Sequence, residues 1–120
     1  MNNEIEVGEY VRTIDGCIGI FDSYSKRPDT SIYKSPFNCF IKLQNRKTPL
    51  QCHRNYIVNH SKIKSEIVEV GDYVNGKLIH KIDKGPNYCY LYYGNCKTFV
   101  DYQMKTILTK ESFKEREYVF

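Results

Sequence analysis

A seven-residue segment that occurs twice constrains the fold of this chain more than any other feature. Residues 5–11 read IEVGEYV and residues 68–74 read VEVGDYV, so five of the seven positions are identical. A repeat of this length within 120 residues predicts two copies of one small unit, at residues 4–62 and 66–120. Units of about 60 residues lie near the lower limit of independent stability, so we expect the two to pack closely or to share strands.

The composition favours strands over helices. Alanine, the best helix former, is absent, whereas β-branched and aromatic residues are plentiful. Asp15-Gly16 predicts a hairpin turn in which both residues have positive φ, and Asn75-Gly76 predicts a second turn. Thr109 is predicted to cap a short helix over residues 110–115, and the apolar residues 118–120 to dock on the core. We therefore expect an all-β fold with a short C-terminal helix.

Each unit has the pattern of five short strands with a tight turn before the last one. In the first unit VGEYV at residues 7–11 is followed by DGCIG at residues 15–19. This opening resembles the first hairpin of small barrels of the Src-homology, Tudor and KOW type. The resemblance implies two tandem five-stranded barrels, and it implies an architecture rather than an activity because such barrels host many unrelated functions.

Basic charge is concentrated in the later part of the first unit. Residues 26–64 contain nine lysines and arginines against one acid, and the chain as a whole has a net charge of +4. Such a segment can contact phosphates, with neighbouring aromatic rings stacking on bases, or it can match an acidic protein surface. A solvated face is the alternative. The candidate contacts are Lys26, Arg27, Lys34, Lys42, Arg46, Lys47 and Arg54, together with Tyr24 and Tyr33.

A second candidate surface is a row of tyrosines in one predicted strand. Tyr88, Tyr90 and Tyr92 recur at period two and therefore share one face, while residues 89, 91 and 93 share the other. If the row is exposed, it is a platform for stacking or protein docking. The alternative is burial against the other unit or in a homodimer, which the need for apolar area at such an interface favours.

The sequence contains no catalytic or metal-binding signature. Five cysteines form no C-x-x-C pair and indicate reduced thiols in a cytosol. Cys52 and His53 are adjacent on a predicted strand and point to opposite faces, so they are poorly placed to share one metal ion. No secretory signal and no apolar run long enough for a membrane span is present. We expect no enzyme activity, no cofactor and no membrane partner.

Two further segments carry a resemblance that concerns function. EVGDYVNG at residues 69–76 and ILTKESF at residues 107–113 resemble small uncharacterised proteins of Firmicute prophages. The resemblance implies a phage protein that acts in the cytoplasm of its bacterial host. Small phage accessory proteins of this kind are often inhibitors of host defence, including anti-CRISPR proteins and sponges for signalling nucleotides.

These observations lead to one leading hypothesis and two alternatives. The leading hypothesis is a non-enzymatic inhibitor of the anti-CRISPR type, which occupies a site on a host defence protein or ribonucleoprotein complex. The first alternative is a nucleic-acid-binding module that uses the same cations on phosphates. The second is a nucleotide sponge that uses cations on phosphates and tyrosines on the base, as an oligomer with pockets at its interfaces.

Overall fold

The computed structural model describes residues 4–24, 39–44, 46–112 and 117–120. Within these ranges the chain is all-β, as the composition predicts, and it contains no α-helix. The strands form two antiparallel sheets of five and six strands, one of which is a half-barrel. Three single turns of 3₁₀ helix, at Arg54–Tyr56, Lys64–Ile67 and Asp101–Gln103, connect strands.

The first sheet is built from the first unit in the order β4-β3-β2-β1-β5. Strands β1 to β4 follow one another as a meander, and β5 returns to pair with β1. The bounds are β1 Tyr10–Thr13, β2 Ile18–Tyr24, β3 Cys39–Lys42, β4 Leu50–Cys52 and β5 Ile57–Ser61.

The second sheet repeats this plan and adds one strand, in the order β11-β10-β6-β7-β8-β9. Strands β6 to β9 form the meander, and β10 returns to pair with β6 as β5 does with β1. A 3₁₀ turn precedes the returning strand in both sheets. The bounds are β6 Tyr73–Val74, β7 Lys77–Lys84, β8 Cys89–Tyr93, β9 Lys97–Phe99, β10 Thr106–Leu108 and β11 Tyr118–Val119.

The repeated sequence segment forms the same turn at the entrance to each sheet. In the first copy the Glu9 carboxylate accepts a hydrogen bond from the backbone N–H of Glu6 at 2.5 Å. In the second copy the Asp72 carboxylate accepts from the N–H of Glu69 at 2.7 Å. The reverse backbone bonds, from Glu9 N–H to Glu6 O and from Asp72 N–H to Glu69 O, are both 3.1 Å. The acid of each copy therefore closes its own turn.

The glycine of the repeat is required by the backbone of this turn. Gly8 has a φ of +93° and Gly71 a φ of +103°, values that residues with a Cβ rarely adopt. The Gly8 N–H donates to the carbonyl of Phe21 at 3.0 Å, and the Gly71 N–H donates to that of Ile79 at 2.9 Å. These bonds attach each turn to the second strand of its own sheet, which accounts for the identity of the two segments.

One predicted turn differs from its expected geometry. Asn75-Gly76 has positive φ at both residues, +53° and +78°, but in Asp15-Gly16 only Gly16 does, at +83°. The backbone N–H of Thr13 donates to the carbonyl of Cys17 at 2.9 Å, so the loop has three residues rather than two. A three-residue hairpin loop needs the left-handed conformation only at its last position, and the prediction for Asp15 was therefore wrong.

Each sheet covers a cluster of buried apolar side chains, and the second cluster draws on both units. The first contains Ile5, Val11, Phe21, Cys39, Ile41, Cys52 and Ile57. The second contains Ile67, Val68, Val74, Ile79, Leu91, Met104, Ile107, Tyr118 and also Ile18 from the first unit, with Tyr10 packed against it. Strand β1 therefore lies between the two cores, with Val11 in one and Tyr10 against the other.

The C-terminal helix is absent where the structure describes its residues. Residues 110–112 form a turn, and residues 113–116 lie outside the described ranges. Thr109 does not act as the predicted cap, because its hydroxyl donates to the carbonyl of Gly16 at 2.6 Å. The Ser112 hydroxyl donates to the same carbonyl at 3.0 Å, so the segment is held against the first hairpin instead of starting a helix.

The apolar C-terminus docks on the core, as predicted. Tyr118 is buried, and β11 pairs with β10 at the edge of the second sheet. The ring of Phe120 lies 5.4 Å from that of Tyr10 in an edge-to-face arrangement. Such aromatic contacts contribute beyond the area that they bury. The end of the chain thus helps to hold the two units together.

A buried ion pair joins the units directly. The guanidinium of Arg12 binds both carboxylate oxygens of Asp72, at 2.5 and 2.9 Å, and the two side chains are 1% and 0% exposed. Arg12 also donates to the carbonyl of Ile67 at 3.0 Å and to Glu111 at 2.6 Å, and its Nε lies 3.3 Å from Glu69. Each of the three guanidinium nitrogens therefore has an oxygen partner, as a buried cation requires.

The environment keeps this arginine charged. Burial by itself lowers the pKa of Arg12, but the hydrogen bonds and charge of Asp72, followed by Glu111 and Glu69, outweigh burial and raise it. The Asp72 carboxylate also has several hydrogen-bond donors, since it accepts from the backbone N–H groups of Glu69 and Lys110 at 2.7 and 3.0 Å as well as from Arg12. Without Arg12, Asp72 would keep its two backbone hydrogen bonds but lose its cation, and without Asp72, Arg12 would lose the buried one of its three carboxylates.

We predict that removing either side of this pair lowers stability strongly. Arg12→Met and Asp72→Asn should each reduce the free energy of unfolding by about 3–5 kcal/mol. Arg12→Met leaves the buried carboxylate of Asp72 without a cation, and Asp72→Asn leaves the buried guanidinium of Arg12 with only the partly exposed carboxylates of Glu69 and Glu111. Urea denaturation followed by circular dichroism measures the change. The exposed pair between Lys62 and Glu6, whose side chains are both 66% exposed, provides the control. Lys62→Met should leave the midpoint unchanged, and equal effects of Arg12→Met and Lys62→Met would contradict the prediction.

Candidate functional site

Tyr88, just before β8, and Tyr90, within it, face solvent, while the opposite face of the strand enters the core. Leu91 is fully buried and pairs in register with Ile82 and Phe99. Tyr88 is 46% exposed and Tyr90 is 39% exposed. The predicted division of the strand into two faces is confirmed. The two tyrosines are not buried between the units, which was one form of the alternative, and burial in a homodimer stays a prediction.

Tyr88 and Tyr90 form an ordered pair of rings. Their centroids are 5.4 Å apart and their planes differ by 30°. The Tyr88 ring lies against Gly85, where an added Cβ would come 2.2 Å from Cε1 of the ring. The Gly85 N–H also donates to the Tyr88 carbonyl at 2.9 Å, which closes the turn between β7 and β8. A glycine at this position therefore lets the ring lie across the turn.

These two rings line a groove with a volume of about 560 Å³. Its walls come from three connections: the turn at residues 85–87, the 3₁₀ turn Lys64–Ile67 between the units, and the 3₁₀ turn Asp101–Gln103 before β10. Tyr102, which is 76% exposed, and Ile63, which is 49% exposed, add apolar surface. The groove thus combines aromatic walls with a position on short, hydrogen-bonded turns.

The polar residues of the groove are more acidic than basic. Glu66 and Asp101 line it, and Lys84 is the only cation among the described lining residues. Asp101 accepts from the backbone N–H of Ser65 at 2.8 Å, and Glu66 accepts from the hydroxyl of Ser61 at 2.9 Å. Within the described part of the chain, neither carboxylate forms a salt bridge. Their negative charge therefore remains available to a bound group.

Ser65 is the exception to full hydrogen bonding in this region. It lies among the residues that line the groove and is completely buried. Its hydroxyl oxygen is the one buried side-chain oxygen or nitrogen of the described residues that lacks a hydrogen-bond partner. Buried polar groups are nearly always paired, so this hydroxyl is a candidate contact for a group that binds in the groove.

Tyr92, the third member of the row, has a different environment. It is half-buried and does not line the groove. The ammonium of Lys81, its cross-strand neighbour, lies 5.2 Å from the centre of the Tyr92 ring, within the range of a cation–π contact. The predicted row of three is therefore divided into a groove-lining pair and one tyrosine paired with a lysine.

The basic candidates that the structure describes belong to the first unit and do not line the groove with the tyrosines. Lys26, Arg27, Tyr33 and Lys34 lie outside the described residues. Lys42 is exposed and lies 3.5 Å from the carboxylate of Asp22. Arg46 and Lys47 are exposed, and the half-buried Arg54 donates to the carbonyl of Ile57 at 3.2 Å.

One of these cations, Arg46, lines a shallow depression on the outer face of the first sheet. Phe40 lies there next to Arg46, with Gln51 opposite Phe40 on β4. The depression has a volume of about 800 Å³ and also includes Asp22. It places an aromatic ring beside a cation, which is the combination that single-stranded nucleic acid uses.

Tyr24 contributes to the core of the first unit. Its hydroxyl accepts a hydrogen bond from the backbone N–H of Ile5 at 2.8 Å, and its ring packs 4.8 Å from that of Phe21. The side chain is therefore engaged at both ends. Its role as a contact residue stays a prediction.

The groove residues that sequence analysis did not identify are Ser65, Glu66, Lys84, Asp101 and Tyr102. They come from three separate connections, and no local pattern joins them. A tyrosine and an aspartate next to each other in a predicted turn at residues 101–104 are the nearest signal, since a large aromatic residue in a turn is usually exposed. Their convergence depends on how the second sheet folds.

The cysteines and histidines form no shared site. Cys52 is buried while His53 is exposed, and the His53 ring accepts from the backbone N–H of Asn55. Cys39 and Cys52 face each other on neighbouring strands in the first core. In the ranges 4–24, 39–44, 46–112 and 117–120, no group of three or more histidine, cysteine or acidic side chains is placed to hold a metal ion.

The chain matches no protein-family model, no curated protein and no solved structure. Among the residues that the structure describes, no helix is long and apolar enough to cross a membrane. The interpretation of the groove therefore rests on its own geometry.

We predict a large difference in reactivity among the thiols. Burial raises the pKa of Cys39, and it raises the pKa of Cys52 to about 11, whereas Cys96 is exposed. Because the thiolate is the reactive form, native protein at pH 8 should be alkylated at Cys96 and protected at Cys39 and Cys52. Peptide mass spectrometry after alkylation with and without urea measures this. Labelling of Cys52 as fast as Cys96 without urea would be the contrary result.

Proposed function

We propose that the protein is a non-enzymatic binding protein of phage origin that inhibits a bacterial defence complex of the anti-CRISPR type. It acts in the host cytoplasm by occupying a site on a defence protein or ribonucleoprotein with the groove beside β8. The observation that carries this proposal is the exposed Tyr88–Tyr90 pair on the groove wall, with Tyr102 also lining it. Tyrosines are enriched at the energetic centres of protein interfaces, and clustered exposed aromatic surface marks a docking site.

The charge of the groove favours a protein over a nucleic acid as its partner. A polyanion needs cations along its path, and the groove has two carboxylates, Glu66 and Asp101, against the single ammonium of Lys84 among its described residues. The same balance disfavours the phosphates of a signalling nucleotide. A protein surface imposes no such requirement and can offer basic or apolar side chains.

We further propose that both units are open variants of the small barrel of the Src-homology and Tudor type. Support comes from the shared strand order, in which the fifth strand returns to pair with the first after a 3₁₀ turn. Such barrels present short loops and turns at their rims, and the groove is built from connections of this kind. Of the two units, at residues 4–62 and 66–120, the second would then bind the partner.

The proposed function predicts that phage survival depends on the two groove tyrosines. Expression of the protein should raise the plating efficiency of a targeted phage on bacteria with an active CRISPR system, tested across a panel of system types. The variant Tyr88→Ala/Tyr90→Ala should lose most of this effect, by at least about tenfold, if the pair is an interface hot spot. Tyr73→Ala provides the control, since Tyr73 is 42% exposed but lies outside the groove, on β6. If the protein protected phage on no strain of the panel, the proposal would be contradicted.

A nucleic-acid-binding function is the second candidate, and the depression beside Phe40 is what favours it. Under this alternative the protein should shift single-stranded oligonucleotides, and affinity should fall steeply as salt rises from 50 to 200 mM, as about one counterion is released per neutralised phosphate. Phe40→Ala and Arg46→Ala should weaken binding, while Tyr88→Ala should not. Gel-shift titration at several salt concentrations measures this, and an affinity independent of salt would exclude it.

A further inference from the structure

We propose that the groove binds the side chain of an arginine presented by the protein partner. This inference rests on the proposed function, because it specifies the chemistry of the partner that the groove takes. Three features of the described residues carry it: two carboxylates without salt-bridge partners, aromatic walls, and a buried hydroxyl without a hydrogen bond.

The carboxylates supply the charge that a cation needs. Asp101 uses one oxygen to accept from the Ser65 N–H, and Glu66 uses one to accept from the Ser61 hydroxyl. Neither receives an ammonium or guanidinium from the described residues, whereas Asp22, Glu6, Glu69 and Glu111 all do. Lys84, the cation of the groove, directs its ammonium at the backbone carbonyl of Glu66, at 3.4 Å. A further cation would therefore meet unneutralised acid.

The aromatic walls suit a planar cation. A guanidinium or ammonium within about 6 Å of a tyrosine ring is attracted by the negative face of the ring. The described residues already form two such contacts, Lys81 over Tyr92 at 5.2 Å and Lys64 over Phe120 at 5.3 Å. Tyr88 and Tyr90 stand side by side with no cation over either ring among the described residues. Their exposed faces are therefore open to a cation from outside.

The third feature favours arginine over lysine. The Ser65 backbone N–H donates to the Asp101 carboxylate, and the Ser65 hydroxyl, on a residue that lines the groove, has no hydrogen-bond partner among the described residues. A guanidinium has five N–H donors in one plane and can address two carboxylates and a hydroxyl while stacking on a ring. An ammonium has three donors around a point and stacks less well. The groove offers the larger number of acceptors, and arginine satisfies more of them.

Titration with an arginine side chain tests the inference directly. The probe is N-acetyl-arginine amide, with N-acetyl-citrulline amide as the uncharged analogue of the same shape, followed by NMR shifts of the isotope-labelled full-length protein. The arginine probe should bind with a Kd of about 1–10 mM, a range reasonable for a small fragment, and at least about tenfold more tightly than citrulline. Shift changes should concentrate on residues 65–66, 88–90 and 101–102. Equal affinity for the two probes would overturn the inference.

Variants of the groove separate charge from packing. Glu66→Gln/Asp101→Asn keeps the hydrogen-bond acceptors and should weaken the arginine probe at least about tenfold. Glu6→Gln/Asp22→Asn removes the same number of acids from the first unit and should change nothing. Ser65→Ala should weaken the probe about threefold to tenfold while leaving the melting temperature of the free protein unchanged or raised, because no hydrogen bond is lost. A structural hydroxyl would instead lower the melting temperature.

The two proposals fail in different ways. If the arginine probe does not bind and the Glu66→Gln/Asp101→Asn variant protects phage as well as the native chain, the cation site is wrong and the inhibitor proposal stands on Tyr88 and Tyr90. If the probe binds but no strain is protected, the inhibitor proposal is wrong and the groove remains an arginine-binding site. If the Glu66→Gln/Asp101→Asn variant loses probe binding and phage protection while the Glu6→Gln/Asp22→Asn variant keeps them, the inhibitor proposal and the arginine site are both supported.

Discussion

The ion pair between Arg12 and Asp72 is the contact on which the relation of the two units depends. It lies on β1, the strand that has a core on each side, and it places a charge where an apolar side chain would otherwise pack. A pair of this kind adds little stability compared with apolar residues of the same shape, but it tolerates only one arrangement of its partners. We expect this requirement to hold the two small sheets in one register.

The repeated segment supplies the acid of this pair, and the two copies differ in the partner of that acid. Glu9 and Asp72 occupy the same position of the repeated turn and close it in the same way. In the first unit the remaining capacity of Glu9 is used by His60 of β5, at 2.9 Å. Burial raises the pKa of Glu9, yet the hydrogen bonds from His60 and from the Glu6 N–H outweigh it and hold the pKa below its usual value. In the second unit the free carboxylate oxygens of Asp72 bind Arg12 of the first unit instead. The first turn therefore binds a residue of its own unit, and the repeated turn binds a residue of the other unit.

The fold could be predicted from the sequence further than the site could. Short-range rules fix strands and turns, and the all-β class, the faces of β8 and the docking of Tyr118 follow from them. No helix begins in the described residues after Thr109, because the Thr109 hydroxyl binds Gly16, which is 93 residues away and which no local pattern reveals. The role of Arg12 could not be predicted for the same reason, because an arginine in a strand is ordinarily exposed and the partners of Arg12 come from distant turns. The groove is still less accessible, since its residues belong to three connections that only the folded sheet brings together.

The groove and the junction share one short segment, and this connects the stability of the fold with the proposed binding surface. The 3₁₀ turn Lys64–Ile67 contributes Ser65 and Glu66 to the groove and offers the carbonyl of Ile67 to Arg12. Its other end is held by Asp101, whose carboxylate accepts from the Ser65 N–H. A turn of four residues has almost no freedom to move at one end while fixed at the other. The ion pair between the units therefore also helps to position Ser65 and Glu66 relative to Asp101 and the groove tyrosines. The groove is lined mainly by residues of the second unit, but its geometry depends on Arg12 of the first.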